Sequence, residues 1–362
     1  MHMALKRILS FCTSVIICIA VLSSSVYASD GSINNVSDAS DKIQIDSFVQ
    51  QIISEENMGE ITNVRELYNV DNDVVAYCLE FANGYMILDL YGEIVEYSEC
   101  NSSPFADITE DIYYSGPLSY YTKENNRFVE VYTEDAISYT VMKERTDYFS
   151  QISEENNDEE EDPGNSISLM SLKTTTSTTS DGLRKVKTAL TDKPRCFDYY
   201  TDGHCGRVAV TTLLFYYYDN INSSILKSTY ANNPRSLYNF LGNYIFYYAS
   251  YDNIKNGLTS AFPYISNDTY DIETFRNGMS SSDTLETWGK YKYILTTRSI
   301  PAILLLHNHP SYFDHWVVAY GVIAYYDSNN NIVKRQYVVN NGFQKNDIKI
   351  GHQYVAGYIH LS

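Results

Sequence analysis

The chain has 362 residues, 44% of them hydrophobic, and carries 26 lysines and arginines against 45 acidic residues, for a net charge of −19. This length favours about two domains, and the lack of a concentrated basic face excludes a typical nucleic-acid-binding protein. Only four cysteines lie beyond residue 28, too few for a disulfide-built scaffold, so we expect the fold to depend on a hydrophobic core. Cys78 and Cys100 could pair, although their spacing does not require it. The cysteine and histidine spacings match no zinc pattern, and we expect neither a metal nor a cofactor.

The N-terminus has the pattern of a secretory signal peptide, which we assign to residues 1–28. Lys6 and Arg7 precede an uncharged, mostly apolar run that ends at Leu22, and Ala28 provides a small residue for cleavage. The run is shorter than a membrane span, so cleavage near Ala28 is favoured over anchorage. We therefore expect a secreted protein, extracellular or at the cell surface, with no stable membrane anchor.

The sequence of residues 29–150 predicts a small α+β domain. Apolar residues recur at helical spacing over 45–53, and strand-forming residues dominate 74–81, 85–90 and 94–97, with glycine-containing turns between these strands. No part of this region gathers a nucleophile, a base and an orienting group. We therefore assign it no chemistry and expect it to cover another part of the chain.

Charge divides the chain into two unlike halves. Residues 1–175 hold 9 basic against 31 acidic residues, and residues 176–362 hold 17 against 14. This asymmetry predicts electrostatic attraction between the halves, although a solvated acidic linker accounts for part of it. The linker is residues 151–180, which are acidic and then rich in serine and threonine. Such a segment is expected to be open to proteolysis and is interpreted as a processing region, with a passive tether as the alternative.

The C-terminal domain, residues 181–362, is predicted to begin with a helix that carries a cysteine. Cys205 lies three residues before Val208, the first residue of an apolar run that continues to Tyr218. A thiol at a helix N-terminus faces unpaired N–H groups and the positive end of the helix dipole, which stabilise a nucleophilic thiolate. Gly203 and Gly206 would leave room for a substrate carbonyl. A buried structural cysteine is the alternative. Antiparallel strands are predicted afterwards at 302–306, 316–326, 337–339 and 354–359.

His315 begins one of these strands and is the predicted general base. A strand holds its backbone rigid while the imidazole faces a cleft, as a base beside a thiol requires. Asn340, at the end of the paired strand, is predicted to hydrogen-bond the other ring nitrogen and fix its tautomer. Taken singly, each residue has a simpler interpretation, as a strand-end histidine and a turn asparagine. Minor candidates for the base are His204, His307 and His309.

The order Cys, His, Asn resembles the papain-like cysteine peptidases, and more closely the exported bacterial branch that includes streptopain and the C39-like proteins. Residues 203–209 resemble the family's cysteine helix, Asp314-His315 with Gly321 its histidine strand, and 337–342 its asparagine motif, while 84–88 is similar to streptopain-type propeptides. The resemblance implies an α+β, papain-like peptidase fold preceded by an inhibitory propeptide, which is removed by cutting in the linker.

Two positions depart from the family pattern. The glutamine that usually lies about six residues before the cysteine is replaced by Tyr199, and the tryptophan after the asparagine is replaced by Asn341. The backbone N–H of Cys205 and the hydroxyl of Tyr199 are the oxyanion donors we assign. Losing a donor typically lowers the rate by roughly 10²–10³.

The expected function is that of a thiol protease secreted as a zymogen, whose partners are a protein or peptide substrate and its own propeptide. The main alternative is a catalytically weak or inactive papain-fold protein that binds peptide or a surface partner. A third is acyl transfer or amide hydrolysis on a non-protein substrate with the same three residues.

Overall fold

The computed structural model describes residues 45, 47–125, 127–155, 172–178, 183–197, 204–247, 249–306 and 315–362. The predicted signal peptide and most of the predicted linker lie outside these residues. We refer to the described residues up to 155 as the N-terminal half and to those from 172 as the C-terminal half. Both halves belong to one compact unit.

The described residues form a mixed α+β fold with one large, mostly antiparallel sheet and seven α-helices. The N-terminal half contains, in chain order, α1 (Ser47–Glu55), β1 (Ile61–Tyr68), β2 (Val74–Phe81), β3 (Tyr85–Asp89), β4 (Ile94–Ser98), β5 (Ile112–Tyr114), β6 (Tyr120–Glu124), β7 (Arg127–Glu130), β8 (Ala136–Ile137) and α2 (Tyr139–Glu155).

The C-terminal half contains β9 (Leu172–Thr178), β10 (Arg184–Leu190), α3 (Cys205–Asn220), a 3₁₀ turn (Ser223–Ile225), α4 (Ser228–Ala231), α5 (Pro234–Leu241), α6 (Tyr251–Ile265), β11 (Ile272–Arg276), α7 (Ser281–Arg298), β12 (Ala302–Leu306), β13 (His315–Tyr326), β14 (Ile332–Asn340), β15 (Ile348–Gly351), a second 3₁₀ turn (His352–Tyr354) and β16 (Val355–Leu361). Among the described helices, none combines the length and the apolar character needed to cross a membrane.

The long strand β13 is the centre of the C-terminal half. Its first residues pair with β12, its last residues pair with β10, and β14 pairs along its other edge. Helices α3 and α7 pack against it, and Trp316 to Tyr325 are all buried. A strand covered on both faces is apolar without alternation, which explains the unbroken run in the sequence. Helix α3 is likewise buried from Gly206 to Tyr217, as its nearly continuous apolar sequence requires.

The sheet passes from one half to the other through a single strand pair. Strand β15 pairs antiparallel with β4, where Lys349 lies opposite Tyr97 and Ile350 opposite Glu96. The edge of the N-terminal sheet is therefore covered by the C-terminal half instead of being exposed. The predicted domain boundaries stay predictions, but the regions on either side of the linker share one sheet.

Ion pairs join the two halves beside this strand pair. Lys185 lies 2.5 Å from the Oε1 atom of Glu56 and 3.7 Å from the Oε2 atom of Glu55. Two further pairs are Lys334 with Glu93 and Lys349 with Glu99. Every lysine here belongs to the C-terminal half and every glutamate to the N-terminal half. The attraction predicted from the charge asymmetry is present as specific contacts.

Candidate active site

Cys205 is the first residue of α3 and is partly exposed. The twelve residues after it are buried, so the position of the helix N-terminus is fixed by the core. The structure thus places the thiol at the N-terminal end of a helix, where the helix dipole favours an anion.

Gly206 has a packing role that sequence reasoning missed. A Cβ atom at this position would lie 2.7 Å from the Cδ1 atom of Ile254 and 3.1 Å from the Cβ atom of Ala249. The glycine therefore allows the start of α3 to contact α6 and the residues before it. Its lack of a side chain serves this contact, and the room predicted for a substrate carbonyl stays a prediction. Gly203 lies outside the described residues.

The start of α3 and the start of β13 meet at Gly342. A Cβ atom on this glycine would lie 3.9 Å from the Cγ1 atom of Val208 and 3.9 Å from the carbonyl oxygen of Trp316. Val208 is in the first turn of the helix that Cys205 begins, and Trp316 follows His315. The fold therefore brings the cysteine end of the helix and the histidine end of the strand to one place.

His315 is partly exposed and pairs with Leu306 of β12. Its imidazole stacks on the ring of Phe343, with centroids 5.3 Å apart and planes 10° apart. Phe343 was not among the predicted site residues. The sequence signal that could have identified it is an aromatic residue directly after the glycine of the asparagine motif.

Asn340 does not hydrogen-bond the imidazole. It is buried, and its side-chain N–H group donates to the Sγ atom of Cys196 at 3.3 Å and to the Oδ1 atom of Asn346 at 3.0 Å. Its own Oδ1 atom accepts the N–H of Gly342 at 3.0 Å. Asn340 lies opposite Val318 in the β13–β14 pair, three residues from His315, so strand alternation places the two side chains on opposite faces. Its partners in the described part of the chain are Gly342 and Asn346, which follow it in the turn between β14 and β15, and Cys196, which lies between β10 and α3.

The turn between β14 and β15 holds Phe343 in place. The Oδ1 atom of Asn341 accepts the N–H groups of Phe343 at 2.7 Å and of Lys345 at 3.0 Å. Gly342 has φ +74°, a left-handed conformation that favours glycine. The two asparagines thus build the backbone that presents the Phe343 ring to His315.

The N-terminal half reaches the same place through Tyr132. Its ring stacks on Phe343 with centroids 4.2 Å apart and planes 11° apart. Tyr132 lies in the turn between β7 and β8, where the carboxylate of Glu130 accepts the N–H of Thr133 at 2.8 Å. The three rings of His315, Phe343 and Tyr132 therefore form one stack that crosses from the C-terminal to the N-terminal half.

His204, which precedes the cysteine, is directed into the aromatic surroundings of α5. It is buried, its Nδ1 atom lies 2.5 Å from the hydroxyl of Tyr238, and its ring centroid lies 4.2 Å from that of Tyr247. Its rank as a minor candidate base stays a prediction.

Several predicted positions lie outside the described residues: Tyr199, His307, His309 and Asp314. Within the described ranges no group of three or more histidine, cysteine or acidic side chains could hold a metal ion. Cys78 and Cys100 are both free thiols; Cys78 is buried in β2, and this burial raises its pKa well above the usual value, whereas Cys100 is exposed.

A scan against protein-family models finds no family that matches this chain, and a search of the curated proteins finds no relative.

Proposed function

We propose that this chain is a cysteine protease with a papain-like fold, exported as a zymogen and hydrolysing peptide bonds through Cys205 and His315. The observation that carries the proposal is the meeting at Gly342 of the helix that begins with Cys205 and the strand that begins with His315. A helix N-terminus and a rigid strand end are the two positions that a thiolate and its base require.

In this mechanism His315 takes the proton of the Cys205 thiol, and the thiolate attacks a peptide carbonyl carbon. The backbone N–H groups at the start of α3 stabilise the negatively charged oxygen of the intermediate, with the hydroxyl of Tyr199 as a second donor. The imidazolium gives its proton to the leaving amine, and water then hydrolyses the acyl-enzyme with the imidazole as base. Stacking on Phe343 holds the plane of the imidazole ring.

The zymogen part of the proposal is supported by three contacts of the N-terminal half. It shares the sheet through β4 and β15, it pairs glutamates with three lysines, and it places Tyr132 on the ring that stacks on His315. Cutting the linker would leave these noncovalent contacts to hold the N-terminal half until it dissociates.

A second candidate is a catalytically weak or inactive protein of the same fold that binds peptide. The observation that favours it is the position of Asn340, whose amide is bonded to Cys196 and Asn346 and does not orient His315. The two candidates share the binding surface and differ in whether Cys205 reacts.

The test is to express residues 29–362 and the Cys205→Ala variant and to follow both on gels in the presence of casein. We expect wild type to lose an N-terminal fragment by cleavage between residues 150 and 180 and then to degrade casein, while the variant stays whole. If neither chain cleaves its own linker, and both stay inert toward casein even after an added protease has cut the linker, the protease proposal fails and the binding protein takes its place.

A further inference from the structure

We propose that the face of Phe343 covered by Tyr132 is a substrate subsite for an aromatic side chain, and that Tyr132 occupies this subsite in the intact chain. This inference rests on the proposed function, because it assigns a subsite to the same catalytic centre. The juxtaposition that carries it is the stack of His315, Phe343 and Tyr132.

Phe343 stacks on two other rings. It lies against the imidazole of His315 and against the ring of Tyr132, and only 8% of the residue is exposed. Tyr132 is the ring that belongs to the N-terminal half. Release of that half would therefore expose the part of the Phe343 ring that Tyr132 covers and leave the contact of Phe343 with the general base.

The opened face would be flat, apolar and fixed in orientation. The N–H of Phe343 donates to Asn341, and the left-handed Gly342 precedes it. A ring held by its backbone in this way loses little conformational entropy when a ligand binds, so more of the contact energy appears as affinity. Its flat shape favours a parallel aromatic ring over an aliphatic side chain.

Tyr132, which fills the subsite in the intact chain, indicates which kind of side chain the subsite binds and on which side of the scissile bond that side chain lies. Tyr132 lies 4.2 Å from Phe343 and is braced at its edge by Tyr120, with centroids 5.9 Å apart. His315 gives its proton to the leaving amine in the proposed mechanism, so a ring stacked next to it lies on the leaving-group side. The inferred substrate is a peptide with an aromatic residue directly after the bond that is cut.

The binding test uses residues 29–362 with Cys205→Ala, so that no turnover occurs. The probes are N-acetyl-phenylalanine amide and N-acetyl-alanine amide, titrated by ligand-observed NMR. Adding Tyr132→Ala opens the subsite, and we expect the phenylalanine probe to bind about tenfold more tightly than to the parent chain, while the alanine probe does not change. Tyr132→Phe keeps a ring in place and should bind like the parent.

Two controls make the result specific. Tyr91→Ala removes another tyrosine of the N-terminal half, 54% exposed in the β3–β4 turn, and should leave binding unchanged. Phe343→Leu, added to Tyr132→Ala, keeps an apolar side chain without a flat ring and should abolish the gain. The inference is overturned if the two probes bind the Tyr132→Ala chain equally, or if Phe343→Leu keeps the gain.

A kinetic measurement on the wild-type chain, cut in the linker, does not depend on how the variants fold. Two peptides that differ only in phenylalanine or alanine after the scissile bond should differ about tenfold in kcat/KM. Equal values would overturn the subsite while leaving the protease proposal intact. If the chain hydrolyses no peptide but still binds the phenylalanine probe more tightly than the alanine probe, the protease proposal is overturned and the aromatic binding site is supported.

Discussion

Replacing Lys349 by methionine should weaken the contact between the two halves more than any other single change to their ion pairs. The Lys349 side chain is fully buried, pairs with Glu99, donates to the carbonyl oxygen of Asp347 at 2.9 Å and lies 5.3 Å from the ring centroid of Tyr97. Methionine keeps the length of the side chain and removes the charge. The variant therefore leaves Glu99, whose side chain is 20% exposed, without its cation.

The size of the effect follows from burial. Removing one partner of a buried ion pair costs about 3–5 kcal/mol, and the partial exposure of Glu99 places the expected loss near the lower end, at about 3 kcal/mol. The matched control is Lys334→Met, because Lys334 and Glu93 are 28% and 33% exposed and such a pair contributes about 1 kcal/mol or less.

The assay is urea unfolding of residues 29–362, followed by fluorescence of Trp288 and Trp316, which are both buried. The double variant Lys349→Met with Glu99→Gln should lose less than the sum of the single variants, with a coupling of about 2 kcal/mol. The reasoning is refuted if Lys349→Met costs no more than Lys334→Met, or if the coupling is zero.

Three further predictions concern single residues. Burial raises the pKa of Glu96 from 4.5 to about 7, so between these pH values the native chain binds a proton there that the unfolded chain has released. The free energy of unfolding should therefore fall by on the order of 3 kcal/mol as pH rises from about 4.5 to 7. The difference between melting temperatures at pH 5 and pH 7 should be smaller for Glu96→Gln than for wild type, and an unchanged difference would contradict this. Gly206→Ala should lower the free energy of unfolding by about 1–3 kcal/mol through overlap with Ile254, and Ile254→Val in the same chain should restore part of it, whereas a neutral Gly206→Ala would disprove the packing role. Asn340→Ala should cost about 1–2 kcal/mol through its lost turn hydrogen bonds but leave the pH profile of Cys205 alkylation unchanged, and a shifted profile would mean that the amide acts on His315.

The elements with strong local patterns were predictable. The helix that starts at Cys205 and the strand that starts at His315 have long apolar sequences because both are buried on all sides. The helix predicted at 45–53 is observed at Ser47–Glu55, and the strands predicted at 74–81, 85–90 and 94–97 are β2, β3 and β4 with ends that differ by one residue at most.

The contacts between distant parts of the chain were not predictable. Strand β15 is only four residues long, and its pairing with β4 depends on a partner some 250 positions away, for which the local sequence carries no signal. The stack on His315 depends in the same way on Tyr132, which lies far away in the chain. The charge asymmetry predicted that the halves attract each other but not which lysine meets which glutamate.

The candidate site likewise combines local features, which were predictable, with contacts between distant residues, which were not. The sequence predicted that Cys205 lies at a helix start and His315 at a strand start, because both are local features. It did not reveal the packing role of Gly206, since the contact with Ile254 is tertiary. The hydrogen bond of Asn340 to Asn346 depends on how the following turn folds, and its bond to Cys196 depends on a residue 144 positions away, so the motif alone specifies neither.

The most direct test of the central claim, that His315 activates Cys205, is the rate of iodoacetamide alkylation of each cysteine, read by peptide mass spectrometry after the linker has been cut. Cys100 is exposed and serves as the internal reference. We predict that Cys205 is alkylated at least tenfold faster than Cys100 at pH 6, and that His315→Ala removes this difference. Alkylation of Cys205 no faster than that of Cys100, or unaffected by His315→Ala, would contradict the account.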